Sequence, residues 1–470
     1  MRGASRRTPA LALALAVGLL GAGCGGGGGD EAASTAPPSA AEAAGGVSVR
    51  VVDGDTDAPV AGAQVEGLRG TTVVAQATTD DAGMTELPLG TRVAQAAAPG
   101  RPPARAKVVG DAVELEVYDP RLQSPEYGGG PDRDRHVPAV RLGPPSDAPL
   151  WSFESRTLLE FPPAVANGFV AIGNNAGRIY ALDADTGEVR WARREKGEIA
   201  SSPAIADGAV FLSSLDGMLT AYSAAAGKRL WQFPTGGSPI ESSPLVHEGV
   251  VYVGTWQGTL YAVDAQTGKS RWTFQAAADI KGSAALADGR VVVGDYAGHL
   301  YALDPATGEL RWTYTGGQRF YGGPAVSGDT IVIGDVGGAV IAVDAGSGRE
   351  RWRHGAGGYV YSTAAIAGGT AFIGSYSGRF EALDLDTGAV RWSFDAGERI
   401  SGSATVVGDL VYTAVLYREG TPRRTYGLDV RTGAVRYETD DGRYSPVVAA
   451  GRTLYLVGVR TLDAYRPATP

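Results

Sequence analysis

Two sets of aromatic and basic side chains are the residues of this chain best suited to hold a partner. The first is Arg319, Tyr321, Tyr359, Tyr361 and Arg399; the second is Trp256, Tyr296 and Tyr376. Aromatic rings and guanidinium groups are the usual anchors of binding interfaces, since they bury large areas and keep a polar tip. Catalytic constellations are poorer. The four histidines, His136, His247, His299 and His354, fall at unrelated positions and do not converge on a metal. Cys24 is the only cysteine, which excludes an intrachain disulfide and a cysteine-based metal cluster. Asp279, Asp295 and Asp335 read as solvated turn residues, and the many glycines come one per turn rather than as a phosphate cradle opening a helix.

The elements that position these residues are set by a ruler of tryptophans. Trp151, Trp191, Trp231, Trp272, Trp312, Trp352 and Trp392 are spaced 40, 40, 41, 40, 40 and 40 residues apart. A fixed period of this size marks one supersecondary unit repeated. Each unit holds four short apolar runs, as in Ile280–Leu286, Arg290–Gly294, Leu300–Asp304 and Glu309–Trp312. Runs this short suit strands, and the short loops between them require antiparallel pairing. The turn Asp-x-x-Thr/Ser-Gly recurs at Asp183–Gly187, Asp264–Gly268, Asp304–Gly308, Asp344–Gly348, Asp384–Gly388 and Asp429–Gly433; one unit carries Ser223–Gly227 instead.

Four strands per repeat predict an all-β fold whose main body is a β-propeller. After Trp392 a further unit places Tyr437 at the tryptophan position, with an insertion around Glu419–Arg424. Three more strands follow, and the orphan strand Leu150–Phe153 supplies their fourth. The expected count is eight blades, with seven if the last unit packs irregularly. Strand one of each blade should lie nearest the axis. The position before its small residues reads Glu160, Ala200, Glu241, Lys281, Tyr321, Tyr361, Ser401, and two places earlier Leu158, Glu198, Pro239, Asp279, Arg319, Tyr359, Arg399. These residues are expected to ring one mouth of the channel. Trp256, Tyr296 and Tyr376 share a phase in the exposed loops, and Trp256 stands off the ruler.

The stretch Gly177-Arg-Ile-Tyr-Ala-Leu-Asp-Ala-Asp-Thr-Gly-Glu-Val-Arg-Trp191 and its repeats resemble the pyrroloquinoline-quinone-like (PQQ-like) propeller repeat, over Leu150–Pro467. The resemblance implies that the repeated tryptophans dock blade on blade. Its enzymes place a quinone and a calcium ion on the axis, and many carry a disulfide between adjacent cysteines. Non-enzymatic members include the propeller lipoprotein of the outer-membrane β-barrel assembly machinery. With one cysteine, a short chain and no plausible calcium set, the expectation is a protein without cofactor or metal that binds protein partners. A quinoprotein dehydrogenase and a receptor for cell-wall glycan or a small ligand are the alternatives.

The rest of the chain sets location. Arg2, Arg6 and Arg7 precede the apolar run Leu11–Leu20 and the small residues before Cys24, the pattern of a secretory signal. Residues 1–24 resemble a lipoprotein signal with Cys24 lipidated, although Gly21 stands where leucine is usual. Residues 25–46 read as a disordered tether. Residues 47–118 resemble the carboxypeptidase-regulatory β-sandwich, residues 119–148 form a linker expected along the propeller surface, and 149–467 is the propeller. Asp53, Asp55, Asp57, Asp80 and Asp81 are read as turn formers rather than calcium ligands. The net charge of -9 opposes binding to nucleic acid. The expected protein is extracytoplasmic, lipid-anchored to a membrane, and a monomer or a subunit of a complex.

Overall fold

Alternation in Val47–Val51 places Val47, Val49 and Val51 on one face, and that face is buried. In the computed structural model, which describes residues 46–467 apart from 139, 146–147, 417–422 and 442–445, this segment is strand β1 (Val47–Asp53). Cys24 and the tether before residue 46 lie outside the described residues. Strand β1 pairs antiparallel with β4 (Met84–Leu87) and parallel with β7 (Ala112–Val117). A second sheet joins β2 (Gln64–Arg69) to β3 (Thr72–Thr78) and β5 (Val93–Ala97), with β6 (Ala104–Lys107) outermost. The two sheets share a core of Val47, Val49, Val51, Val65, Leu87, Ala94, Ala96, Leu115 and Val117. Strands β5 and β6 are alanine-rich, and alanine has little intrinsic strand preference, so they carry no strand pattern of their own.

Buried Asp55 ties the sandwich to the segment that follows it and lies against blade eight. Its carboxylate accepts from the Asp119 backbone N–H at 2.9 Å and from Gln123 Nε2 at 2.6 Å. Gly451 lies against the same carboxylate, where a Cβ would sit 2.6 Å from Oδ1.

Eight four-stranded antiparallel sheets make the propeller. Blade one is Ala164–Ala166, Phe169–Gly173, Arg178–Asp183 and Val189–Arg194. Blades two to seven repeat it over residues 204–234, 245–275, 285–315, 325–355, 365–395 and 405–439. Blade eight takes Val447–Ala450, Thr453–Val457 and Thr461–Tyr465, and its outer strand is β8 (Trp151–Glu154), paired with Thr461–Ala464. The strand before blade one therefore closes the ring on blade eight, and the described residues form eight blades. The first strands are shorter than their apolar runs suggest: in blade four only Ala285–Ala287 pairs, while 280–284 forms a loop. Its glycine and serine turn the chain where neighbouring blades crowd the axis. A Cβ on Gly282 would lie 2.7 Å from the Gly322 carbonyl oxygen.

Each ruler tryptophan docks on the following blade. Trp312 Nε1 donates to the Ala345 carbonyl at 3.0 Å and Trp352 Nε1 to Leu385 at 2.8 Å; Trp151, Trp191, Trp231, Trp272 and Trp392 repeat the bond to Ala184, Ala224, Ala265, Pro305 and Val430. Beneath each indole is the glycine of the recurring turn. Gly348, at φ 70°, leaves no room for a side chain, since a Cβ would lie 2.6 Å from Trp312. Glycine thus serves both the left-handed turn and the indole seat. Tyr437 replaces tryptophan at the one junction where the next blade takes its outer strand from β8 and so has no turn of this kind between its third and fourth strands. In the other turns the aspartate accepts from the Thr or Ser hydroxyl and pairs with an arginine seven residues on, as Asp304 does with Arg311 at 2.7 Å. That guanidinium holds Asp304 at about 2, below the usual carboxylate range. In blade two both partners change together, to Ser223 and Leu230.

The segment expected along the surface is instead buried around the axis. Residues 122–135 touch all eight first strands. Val165 N–H donates to the Ser124 carbonyl, Ile205 to Pro125, Leu286 to Pro131, Val326 to Asp132, Ile366 to Asp134 and Val406 to Arg135, at 2.7–2.9 Å. Val246 N–H reaches the Glu126 carboxylate at 3.1 Å, and Ser124 Oγ donates to the blade-eight carbonyl of Ala449 at 2.7 Å. The first strand is the inner edge of every sheet, and this strap satisfies edge groups that would otherwise be buried unpaired. Glycine and proline give it no strand pattern because it follows a circle rather than a sheet.

Candidate functional site

The two aromatic sets lie on different loops, and backbone register brings them together. In blades three to seven the turn between the second and third strands donates an N–H to the loop entering the first strand. Trp256 donates to Pro239, Tyr296 to Asp279, Val336 to Arg319, Tyr376 to Tyr359 and Leu416 to Arg399, at 2.6–3.1 Å. The turns themselves are held from within. Asp295, fully buried rather than solvated, accepts from Ala297 N–H and His299 N–H at 2.9 Å and from Tyr301 Oη at 2.9 Å. Asp335, also buried, accepts from Ala339 N–H at 2.8 Å and Gln318 N–H at 2.9 Å. Both aspartates are positioning residues of the mouth.

All eight expected binding residues gather at this mouth. Tyr296 and Tyr321 have ring centroids 6.2 Å apart, Tyr321 and Tyr361 4.8 Å, Tyr361 and Tyr376 4.8 Å, and Tyr359 and Tyr376 6.0 Å. Arg399 lies over Tyr376 at 5.4 Å. Arg319 is exposed on the same rim, and burial, followed by the Glu241 charge, pushes the neighbouring Tyr296 phenol up despite the Arg319 guanidinium. Tyr359 is 54% exposed, whereas Tyr321 and Tyr361 are half-buried below it.

The centre of the cluster is a pair that the aromatic pattern alone does not mark. Glu241 accepts from Tyr321 Oη at 2.6 Å and from Trp256 Nε1 at 3.0 Å, and Lys281 Nζ stands 4.0 Å away. The ammonium sits over the Trp256 ring at 4.1 Å and the Tyr296 ring at 4.8 Å. Burial first, and then Glu241, push the Tyr321 phenol far up, so it stays a hydrogen-bond donor at any physiological pH. Glu241 and Lys281 stand in the same loop series as Tyr321 and Tyr361. The signal that finds them is their charge at a position otherwise aromatic or small.

Beneath the rim is a cavity of about 390 Å³, lined by Glu160, Glu241, Lys281, Tyr321, Tyr361 and Tyr376 among others. Tyr127 of the strap also lines it, with its hydroxyl 2.9 Å from Ser403 Oγ. The histidines take no part. His299 pairs with Asp295 at 3.3 Å, His354 with Glu381 at 2.9 Å, His247 lies 3.9 Å from Glu248, and His136 directly follows the strap, bridged to Val406 of blade seven.

The family model described as outer membrane protein assembly factor BamB matches residues 134–274, 234–319 and 298–461, more than two thirds of the chain. The chain belongs to this PQQ-type repeat family. Among curated members, BamB of Nitrosomonas eutropha is 28% identical over 129 residues, which is 27% of this chain and 30% of that protein. The 1-butanol dehydrogenase (cytochrome c) of Thauera butanivorans is 32% identical over 114 residues, 21% of this chain and 16% of that enzyme. The chain thus spans under a third of the length of these curated relatives. The crystal structure of BamB from Moraxella catarrhalis superposes with a TM-score of 0.59 at 17% identity, covering 68% of this chain and 99% of that one, which establishes the shared fold.

PQQ-type repeats occur with and without the quinone, so its fit is decided by the donors present. Calcium takes about six to eight oxygen ligands. The cavity offers two carboxylates, and Glu241 is already bound by Tyr321 and Trp256. Among the described residues no group of three or more His, Cys, Asp or Glu side chains is placed to share a metal ion. The residues here do not fit a calcium-borne quinone.

Proposed function

We propose that this PQQ-type propeller is a non-enzymatic, lipid-anchored extracytoplasmic scaffold that docks protein partners at its Tyr/Arg mouth, in the assembly of cell-envelope proteins. The observation that carries it is the convergence of Arg319, Tyr359 and Arg399 on one exposed rim around half-buried tyrosines. Such a rim over a packed aromatic centre is the anatomy of a protein interface. The family description and the likeness to BamB proteins support the assembly role. The anchor would be Cys24, and among the described residues no helix is long and apolar enough to cross a membrane. Cys24→Ser is expected to release the protein into the soluble fraction; unchanged membrane retention would remove the anchor from the proposal.

Similarity to the butanol dehydrogenase favours a second reading, a quinoprotein oxidising alcohols. It is tested by adding pyrroloquinoline quinone and calcium to the purified protein. The expected result is no stoichiometric chromophore after gel filtration. A bound quinone with alcohol-dependent dye reduction would establish the enzyme instead.

A further inference from the structure

We infer that the end of the β-sandwich where the chain enters at Gly46 is a contact surface for an anionic lipid bilayer. Strand register gathers this end. Strand β1 begins with Val47 beside Leu87 and Ser48 beside Ala112, so the end of β4 and the start of β7 lie at its entry. In the second sheet Arg69 pairs with Thr72, Leu68 with Val93, and Val93 with Lys107. The turn at 70–71 and the loops 88–92 and 108–111 therefore cap one and the same end.

These loops present apolar and basic side chains. Leu89 is 59% and Val109 82% exposed, and Val73 and Val74 are exposed just after the hairpin turn. Among the described residues these four are the exposed large apolar side chains of the sandwich. One such residue on a surface is ordinary, whereas several gathered at one end form a patch. Arg69 shapes the patch: its Nε donates to the Gly90 carbonyl at 3.0 Å and its Nη2 to that of Leu89 at 2.9 Å, which fixes the loop with the Leu89 side chain in solvent. Arg92 and Lys107 are exposed at the same end and pair with no carboxylate among the described residues.

Against these three cations stand Asp111 and Glu86. The opposite end reverses the balance. Asp53, Asp55, Asp57, Asp80 and Asp81 stand there with Arg101, which pairs with Asp53, and Asp57 pairs with Arg452 of blade eight. In a chain of net charge -9 the sandwich is thus polarised, acidic toward the propeller and basic where the chain enters.

The occupant follows from where the chain leads. Only a short stretch separates Gly46 from Cys24, so a lipid on Cys24 would hold this end at the bilayer in high local concentration. Cations are attracted to anionic headgroups, and apolar side chains enter the boundary with the acyl chains. The choice of a membrane rests on the anchor in the proposed function; the patch itself does not.

The test uses the chain from residue 24 onward with Cys24→Ser, so that no acyl chain contributes, and vesicles of phosphatidylcholine with or without a third of phosphatidylglycerol. Salt-sensitive sedimentation with the anionic vesicles is expected, and none with phosphatidylcholine alone. The association is weaker than one acyl chain provides, about 10⁴ M⁻¹, so loss of Cys24 still releases the protein from cells. Arg92→Glu with Lys107→Glu should weaken binding roughly tenfold or more. Val109→Cys carrying an environment-sensitive dye should shift to the blue on anionic vesicles, and Val390→Cys on blade six should not; this readout stands even where the charge-reversed variant misfolds. No binding to anionic vesicles, binding indifferent to salt and to the charge reversal, or a shift at both positions would overturn the inference. A shift at 109 that grows with protein concentration in the absence of vesicles would assign the patch to self-association and overturn it as well. Retention of Cys24→Ser on cell membranes bears on the anchor alone, so the two failures are distinguishable.

Discussion

Arg133→Ala is expected to destabilise the protein by about 3–5 kcal/mol, the loss typical of breaking a buried ion pair from one side. Arg133 is fully buried in the strap. Its Nε donates to the Ala284 carbonyl at 3.0 Å and Nη2 to Pro244 at 2.9 Å, while Nη1 donates to the Tyr127 carbonyl. The Glu126 carboxylate lies 3.5 Å from Nη1 and is itself buried. One guanidinium therefore joins the strap to blades three and four. Removing it leaves three buried carbonyls without their donor and the Glu126 carboxylate without its counter-charge, with the Val246 N–H as its remaining hydrogen bond. Burial already pushes the Glu126 carboxyl up, opposed by the Arg133 charge, so the variant should take up a proton at Glu126. Arg133→Lys should recover little, because an ammonium cannot span three divergent carbonyls. Arg133→Met with Glu126→Gln should recover much of the loss, since no charge is then stranded. Urea unfolding followed by tryptophan fluorescence measures all three. A loss below about 1 kcal/mol for Arg133→Ala would show that the strap does not hold the ring.

The second large effect belongs to the ruler. Trp352→Ala is expected to cost about 3–5 kcal/mol, the usual range for emptying an aromatic core site. Trp352 is 8% exposed, packs with Ala364, Ile366 and Leu385, and covers Gly388, where a Cβ would lie 2.6 Å from the ring. Alanine opens a cavity between blades five and six and strands the Leu385 carbonyl. Trp352→Phe keeps most of the ring and loses mainly the hydrogen bond, a difference of about 0.5–1.5 kcal/mol at that bond. Tyr437→Ala should cost less than Trp352→Ala, because Tyr437 has no turn glycine to cover. Equal losses at the two positions would mean that the indole–glycine seat is not what joins the blades.

What was legible in the sequence follows from what repeats. The blade count and the closure by Leu150–Phe153 rest on local patterns copied along the chain, and the docking of the tryptophans is what the resemblance of those repeats implies. The strap was not legible. Its hydrogen bonds join Ser124 to Ala449 and Arg135 to Val406, partners far apart in sequence, and its own residues follow no strand or helix period. Only the ring's inner edges, seen together, give it a reason to be buried. The aromatic residues of the mouth were legible because they break the repeat. That Trp256, Tyr296 and Tyr376 join Arg319, Tyr321, Tyr359, Tyr361 and Arg399 follows from antiparallel register, which sets each turn beside the entering loop. Glu241 and Lys281 belong to the series expected at the channel mouth, but a charge in a loop is ordinarily solvated, so nothing in the sequence marks them as its centre; here both are mostly covered and lie against the rings. Asp295 and Asp335 were misread for the same reason.

The claim that the mouth docks a protein is tested most directly by photocrosslinking in intact cells. A photoreactive residue replaces Tyr359 on the rim, or Val390 on the outer strand of blade six as a control, both exposed. The expected result is a discrete protein adduct from position 359 that is absent at 390 and lost when Arg319 and Arg399 are changed to alanine. No adduct at 359, or the same adduct from both positions, would contradict it.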